Sequence, residues 1–272
     1  MTNRKNNPWL YLLLTYTWSW LFGFWAVLTE KPFDQPPVPI LRILHGIGPL
    51  LVAMGFLYLN QSPEKQRDYW KRVIDVKRIR PRWWLVILLT VPAVTGIAAF
   101  GDILFGGIGA RFQPGFQPTL VGTLSYTVFI LFFGPLPEEL GWRGFALDEL
   151  QKSYDARTSS LILGIGWASW HLPLFFVPGT YQNQLGVGTL AFWTYLIAMV
   201  FSTFVMTWIY NHTQRSTLSA ILFHFMINFT GELFTLSPRA EILQFIVWGL
   251  VAITIALSWT KGEACPRSME EK

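Results

Sequence analysis

Eight apolar runs, each about 20 residues long, limit what this chain can fold into. They lie at about 9–28, 38–59, 84–105, 119–136, 158–177, 189–210, 217–235 and 241–259. The hydrocarbon core of a bilayer is about 30 Å thick, so apolar runs of roughly 18 or more residues predict transmembrane helices. The expected fold is therefore all-α: a polytopic membrane bundle of about eight transmembrane helices. Charge is scarce enough to agree. Only 14% of the 272 residues are charged, against about 25% in a soluble domain. Hydrophobic residues make up 52%, and 14 residues are Trp.

The first run follows Arg4 and Lys5, as a signal peptide would. It is too long for a signal h-region and no small-residue cleavage site follows it, which predicts a retained helix. Cys265 stands alone in the polar tail, so neither an intrachain disulfide nor a Cys-based metal site can form. One integral-membrane domain over 1–272 is expected, with no internal repeat and no soluble domain.

The distribution of charge gives the orientation. With the N-terminus in the cytosol, 17 of the 21 Lys and Arg lie inside, eight of them between residues 60 and 83. Lys31, Arg111 and Arg239 lie outside, and Arg42 sits at an outer helix end. The positive-inside rule favours this arrangement, and an even helix count puts both termini in the cytosol. The net charge of +5 is thereby explained without nucleic acid. The stretch QSPEKQRDYWKRVIDVKRIRPRWW reads as a topology signal, with an interfacial helix on anionic lipid as the alternative. The Gly- and Pro-rich outer loops read as turns.

Ionisable groups within apolar spans are costly, which makes each a functional candidate. In GPLPEELGWRGF, Glu139 and Arg143 are four apart and share a helix face, while Glu138 is rotated about 100° away. Pro137 can take the first helical position after a break at Gly134–Pro135, which puts both glutamates near the positive end of a new helix dipole. In GWASWHLPLFF, Trp167 and His171 share a face. In AILFHFMINF, His224 and Asn228 do the same. Each cluster alone has a structural explanation: a boundary ion pair, a core histidine, interhelical glue. His45 and His212 are less promising, one in the outer half of its span and the other in a loop.

Together these residues are what water activation needs. A carboxylate serves as general base, imidazole and amide groups face an oxyanion, and an Arg orients the second carboxylate. Glu and His could also hold a divalent metal such as Zn. Rival chemistries fit worse. The chain has no H-E-x-x-H helix and no G-x-S-x-G elbow, and Asp102 in AFGDIL lacks the first Gly of a GxGD-type site.

Three motifs in order, E-E-x-x-x-R (Glu138, Glu139, Arg143), aromatic-x-x-x-His (Trp167, His171) and H-x-x-x-N (His224, Asn228), resemble those of the CPBP (or ABI) intramembrane endopeptidases. That family includes the type II CAAX prenyl endopeptidases and bacteriocin-processing proteins. The motifs span about 130 to 230, within a core of about 119–235; the earlier helices agree in character only. The resemblance implies that Glu138 is the base for the attacking water, that His171 and His224 position the water or a metal, and that Asn228 helps form the oxyanion hole. Glu139 and Arg143 are the implied supporting pair. Trp167 stands where the family more often has Phe, and with Trp142 it is a candidate for the substrate groove. A metal, if used, would fall to Glu138, His171 and His224. The lack of a third His or a Cys ligand favours a metal-free site.

The expected function is an intramembrane endopeptidase that acts on a peptide or prenylated-protein substrate, with its site facing the cytosol. The rivals are a non-catalytic peptide-binding immunity or scaffold protein of the same architecture, and a small transporter with a proton relay. The relay is disfavoured by the apolar LPLFFV beyond His171. The assigned boundaries put Glu138 at the cytosolic end of span four and His171 deep in span five. For these to meet, span four is expected to start later and carry the glutamates deeper, next to a cavity open to the cytosol.

Overall fold

Side-chain caps and leading prolines start the helices. Asn7, Thr119, Asp155, Thr180, Thr189, Ser216 and Ser237 each accept a backbone N–H of the helix they precede. Proline occupies one of the first positions of several others, where no N–H is needed. The computed structural model describes residues 7–259, so Arg4, Lys5, Lys261, Cys265, Arg267 and Lys272 lie outside the described residues.

In chain order the helices are α1 (Pro8–Leu28), α2 (Val38–Gly46), α3 (Gly48–Asn60), α4 (Pro63–Ile74), α5 (Pro81–Leu104), α6 (Leu120–Phe133), α7 (Pro135–Gly141), α8 (Leu147–Gln151), α9 (Ala156–Trp170), α10 (Tyr181–Leu185), α11 (Leu190–His212), α12 (Thr217–Leu233) and α13 (Pro238–Ser258). All eight apolar runs are helical. Among the described residues six helical stretches are long and apolar enough to cross a bilayer, and α2 with α3, bent by 41°, passes the same test as a pair. Helix α12 has 17 residues. The protein is an all-α, multi-pass membrane bundle. Its outward side chains match a lipid surround: Leu13, Leu21, Leu85, Leu89, Phe100, Leu124, Phe129, Leu250 and Leu257 are all exposed.

Helix α9 packs along α11, α11 along α13, and α13 along α5. Helix α12 lies against α5, α7 and α11, and α3 covers the other side of α7. Thus α7 is central, and its residues Pro135, Pro137, Glu138, Glu139, Leu140 and Gly141 are all buried. Two glycines allow the close approach. A Cβ on Gly141 would lie 2.5 Å from the Pro49 carbonyl carbon of α3, and one on Gly144 would lie 3.1 Å from the Tyr69 ring of α4. Helix α6, by contrast, has one buried residue, Ile130.

Span four departs from the sequence expectation. Its start near 120 holds, but it does not end at 136: the helical stretch runs on to Gln151. The charges that seemed to mark a membrane boundary are paired inside the protein, so the helix continues past them. The helical stretch that carries the glutamates is thus longer at its end, without a later start. At 1.5 Å per residue, Glu138 then lies roughly 20 Å from Gln151, close to the depth of His171 from the start of α9. The break falls at Gly134 (φ −145°, ψ −93°), and Pro135 rather than Pro137 occupies the first helical turn position.

Two further stretches differ from their readings. The outer loops are more than turns: β1 (Ala110–Phe112) pairs antiparallel with β2 (Phe234–Leu236), with Arg111 opposite Thr235. Between residues 60 and 83, α4 docks into the bundle rather than serving as a topology signal alone. Its Tyr69 hydroxyl donates to Leu140 O of α7 at 2.7 Å. Its Arg72 is buried and donates to Asp148 Oδ2 (2.5 Å), to the Tyr210 hydroxyl oxygen (2.6 Å) and to Gly144 O (3.2 Å).

Candidate active site

The chain from Pro135 to Gln151 is α-helical at both ends and π-helical between them. After α7, residues Trp142–Ala146 form a π-helical turn that leads into α8. Such a bulge frees one backbone carbonyl from the helical ladder. Gly144 O lies in this turn, and Arg72 is the donor that reaches it. The bulge is therefore held by α4, and Asp148 draws Arg72, Tyr210 and Arg215 together beside it.

The two glutamates point to different helices, as their 100° separation requires. Glu139 is fully buried. Its Oε1 accepts from Arg143 Nη1 and from His224 Nδ1, each at 2.9 Å. Arg143 is also fully buried, donates from Nη2 to Thr203 Oγ1 of α11 at 3.2 Å, and has its guanidinium 4.7 Å from the centre of the Trp167 ring. Glu138 instead faces α9, where its Oε2 accepts from Trp167 Nε1 at 2.7 Å.

His171 caps the end of α9, where the chain passes into a 3-10 turn over Leu172–Phe176 that contains Pro173. Its Nδ1 lies 2.9 Å from Trp167 O. A carbonyl cannot donate, so Nδ1 carries the proton and Nε2 of the neutral ring is an acceptor. By the same reasoning His224 donates from Nδ1 to the Glu139 carboxylate and presents Nε2 as an acceptor. Glu138 Oε1 and Nε2 of both histidines have no hydrogen-bond partner among the described residues, yet none is sealed from solvent. Glu139 Oε2 and Arg143 Nε, by contrast, are unpaired and sealed. Three free polar atoms, from α7, α9 and α12, therefore open onto accessible space.

Asn228 is one turn further along α12 and half-buried. A Cβ on Gly134 would lie 3.3 Å from its Nδ2, so the amide sits beside the α6–α7 break, four residues before Glu138. Trp142 does not join this group. It is fully buried and packs edge-on against Tyr11 and Trp170, with ring centres 5.9 and 6.0 Å away. Trp167 is 3% exposed, and its ring edge is turned to His224. His45 is buried, bonded through Nδ1 to Ser19 O at 2.8 Å and stacked on Trp170. His212 ends α11 and bonds to Trp208 O. Asp102 is structural: it accepts from Ser237 Oγ and Gly109 N and pairs with Arg239.

Among the described residues no three His, Cys, Asp or Glu side chains are grouped so as to hold a metal ion. The set Glu138, His171 and His224 therefore does not fit zinc, and one oxygen of Glu138 is already taken by the indole N–H.

Known proteins resemble this chain over the region that holds the site. Residues 120–230 match the family described as type II CAAX prenyl endopeptidase Rce1-like. Over 259 residues the chain is 28% identical to CAAX prenyl protease 2 of Methanococcus maripaludis, an alignment that covers 94% of this chain and 96% of that relative. The chain is thus similar to Rce1-like proteins, and the family match rests on residues 120–230 of its 272. It is accordingly a membrane protease. Every residue of the three motifs falls within the Rce1-like match, while α1 to α5 and α13 lie outside it.

Sequence reasoning missed Thr203, Arg72, Asp148, Tyr210 and Arg215. Thr203 had a signal, because a hydroxyl pair, Ser202 and Thr203, interrupts an apolar run. Nothing local marks Arg72, one of eight similar charges in its loop.

Proposed function

We propose that this protein hydrolyses a peptide bond of a membrane-associated substrate near the cytosolic face, with Glu138 as the base for the attacking water. One observation carries the reading: the adjacent carboxylates have unlike partners. Glu139 has its Oε1 bound by a guanidinium and an imidazole and its Oε2 sealed, while Glu138 keeps Oε1 free and accessible. A base needs that free lone pair, and an orienting carboxylate does not.

Water that donates one hydrogen to Nε2 of His171 or His224 passes its other proton to Glu138 Oε1 as its oxygen attacks the scissile carbonyl carbon. The carbonyl pair moves onto oxygen, and Asn228 Nδ2 donates to the resulting oxyanion. Collapse breaks the C–N bond, and Glu138 returns the proton to the leaving amine. The products are a new carboxylate and an amine. Through His224 and Trp167, the Glu139–Arg143 pair keeps these groups in register.

The family description and the relative's name support a prenylated CAAX protein as the substrate, and cleavage before its last three residues is the reaction that the motif resemblance implies. The sparsely buried α6, with Phe129, Phe132 and Phe133 exposed, offers an apolar wall on which a prenyl chain could lie. The excess of Lys and Arg on one side supports a cytosolic site. Cleavage of matched peptide libraries, farnesylated and unmodified, by the purified protein tests this assignment. Preferential release of the last three residues from farnesylated peptides supports it; equal cleavage of unmodified peptides would reject the prenyl requirement.

A further inference from the structure

We propose that the indole N–H of Trp167 selects which oxygen of Glu138 faces the attacking water; the inference rests on the reading of Glu138 as the base. A carboxylate has two equivalent oxygens, and its terminal torsion is broad, so an unanchored glutamate presents either one. Here one donor removes that freedom. Trp167 Nε1 lies 2.7 Å from Oε2, and Oε1 is left without a partner on the accessible side.

Trp167 is itself held by three further contacts. Its backbone carbonyl accepts from His171 Nδ1, the Arg143 guanidinium lies over its ring, and its edge meets His224 at 5.0 Å between ring centres. Neighbouring Ala168 and Trp170 are buried in the same core. Trp167 therefore touches Glu138, Arg143, His171 and His224 while exposing almost none of its own surface. A side chain so enclosed gives substrate little to bind. Its influence runs through Glu138, which makes it a positioning residue and not a wall of the substrate groove.

The roles of ring and N–H can be separated. Trp167→Phe keeps an aromatic ring and removes the donor, but leaves a gap. Replacement of Trp167 by 3-benzothienylalanine keeps the bicyclic shape and replaces N–H with sulfur. Both variants are assayed on the farnesylated peptide that the unmutated enzyme cleaves fastest, beside Glu138→Ala and with thermal unfolding in detergent as a folding control. We expect kcat to fall about 10- to 100-fold in both, as for a misplaced catalytic group, with KM within about twofold and the isostere unfolding with the unmutated protein. Unchanged kcat in the isostere, with Glu138→Ala inactive, would overturn the positioning role and leave the base intact. So would a raised KM at constant kcat, which would make Trp167 a substrate contact. Full activity in Glu138→Ala would instead reject the reading on which the inference rests.

Discussion

His224 Nδ1 and Glu139 Oε1 meet at 2.9 Å across 85 residues of chain. The contact ties α12 to α7 and sets the tautomer that turns Nε2 toward the site. Arg143 shares the same oxygen, so one buried carboxylate holds both a guanidinium and an imidazole ring. Such groups are stable together and costly apart.

Arg143→Ala is expected to lower the unfolding free energy in detergent by about 3–5 kcal/mol, because it strands Glu139 in the core. Arg143→Lys recovers only part of this, since an ammonium cannot serve Glu139 and Thr203 with the geometry of a planar fork. Denaturant titration of the three proteins measures both differences. Full stability in Arg143→Lys would contradict the forked arrangement.

Asp148 plays the same part beside α4. Burial opposes the charge of Arg72, but Asp148 more than offsets it and holds the guanidinium above its ordinary range. Asp148→Asn removes the charge shared by Arg72 and Arg215. The expected result is at least about tenfold faster amide exchange in α4, residues 63–74, with slower catalysis following as the π-turn loosens. Unaltered exchange in α4 would show that the docking rests on Tyr69 instead.

Gly141→Ala tests the packing of α7. The added methyl would meet the Pro49 carbonyl carbon at 2.5 Å, and backbone cannot step aside as a side chain can. A loss of about 1–3 kcal/mol is expected, measured by unfolding in detergent. The same change at Gly55, where a Cβ meets nothing within 4 Å, should be tolerated.

Exhaustive chelation followed by gel filtration should leave cleavage undiminished, since no three ligands are grouped at the site. Loss of activity restored by added zinc would show that the side chains rearrange around a metal.

The helical layout was legible because span length is a local property: eight runs of suitable length became helices close to their assigned bounds. The boundary at 136 failed for a physical reason. A charge was taken as a mark of water, yet Glu139, Arg143 and His224 solvate one another inside the bundle. Spacing of four correctly set Glu139 toward Arg143 and turned Glu138 elsewhere. It could not show that Glu138 would meet Trp167 of another helix, nor that Trp142 would be sealed behind Tyr11 of α1. Arg72 was hidden among its neighbours, because only the packing of α4 decides which base turns inward.

Glu138→Gln bears most directly on the central claim. It keeps the size of the side chain and its ability to accept from Trp167, and removes the charge that takes the proton. Cleavage of the best farnesylated peptide is followed under single-turnover conditions, with peptide binding measured separately. The account predicts a rate lower by about 10²–10⁴-fold, with affinity unchanged within about threefold. Cleavage at the rate of the unmutated enzyme would contradict it.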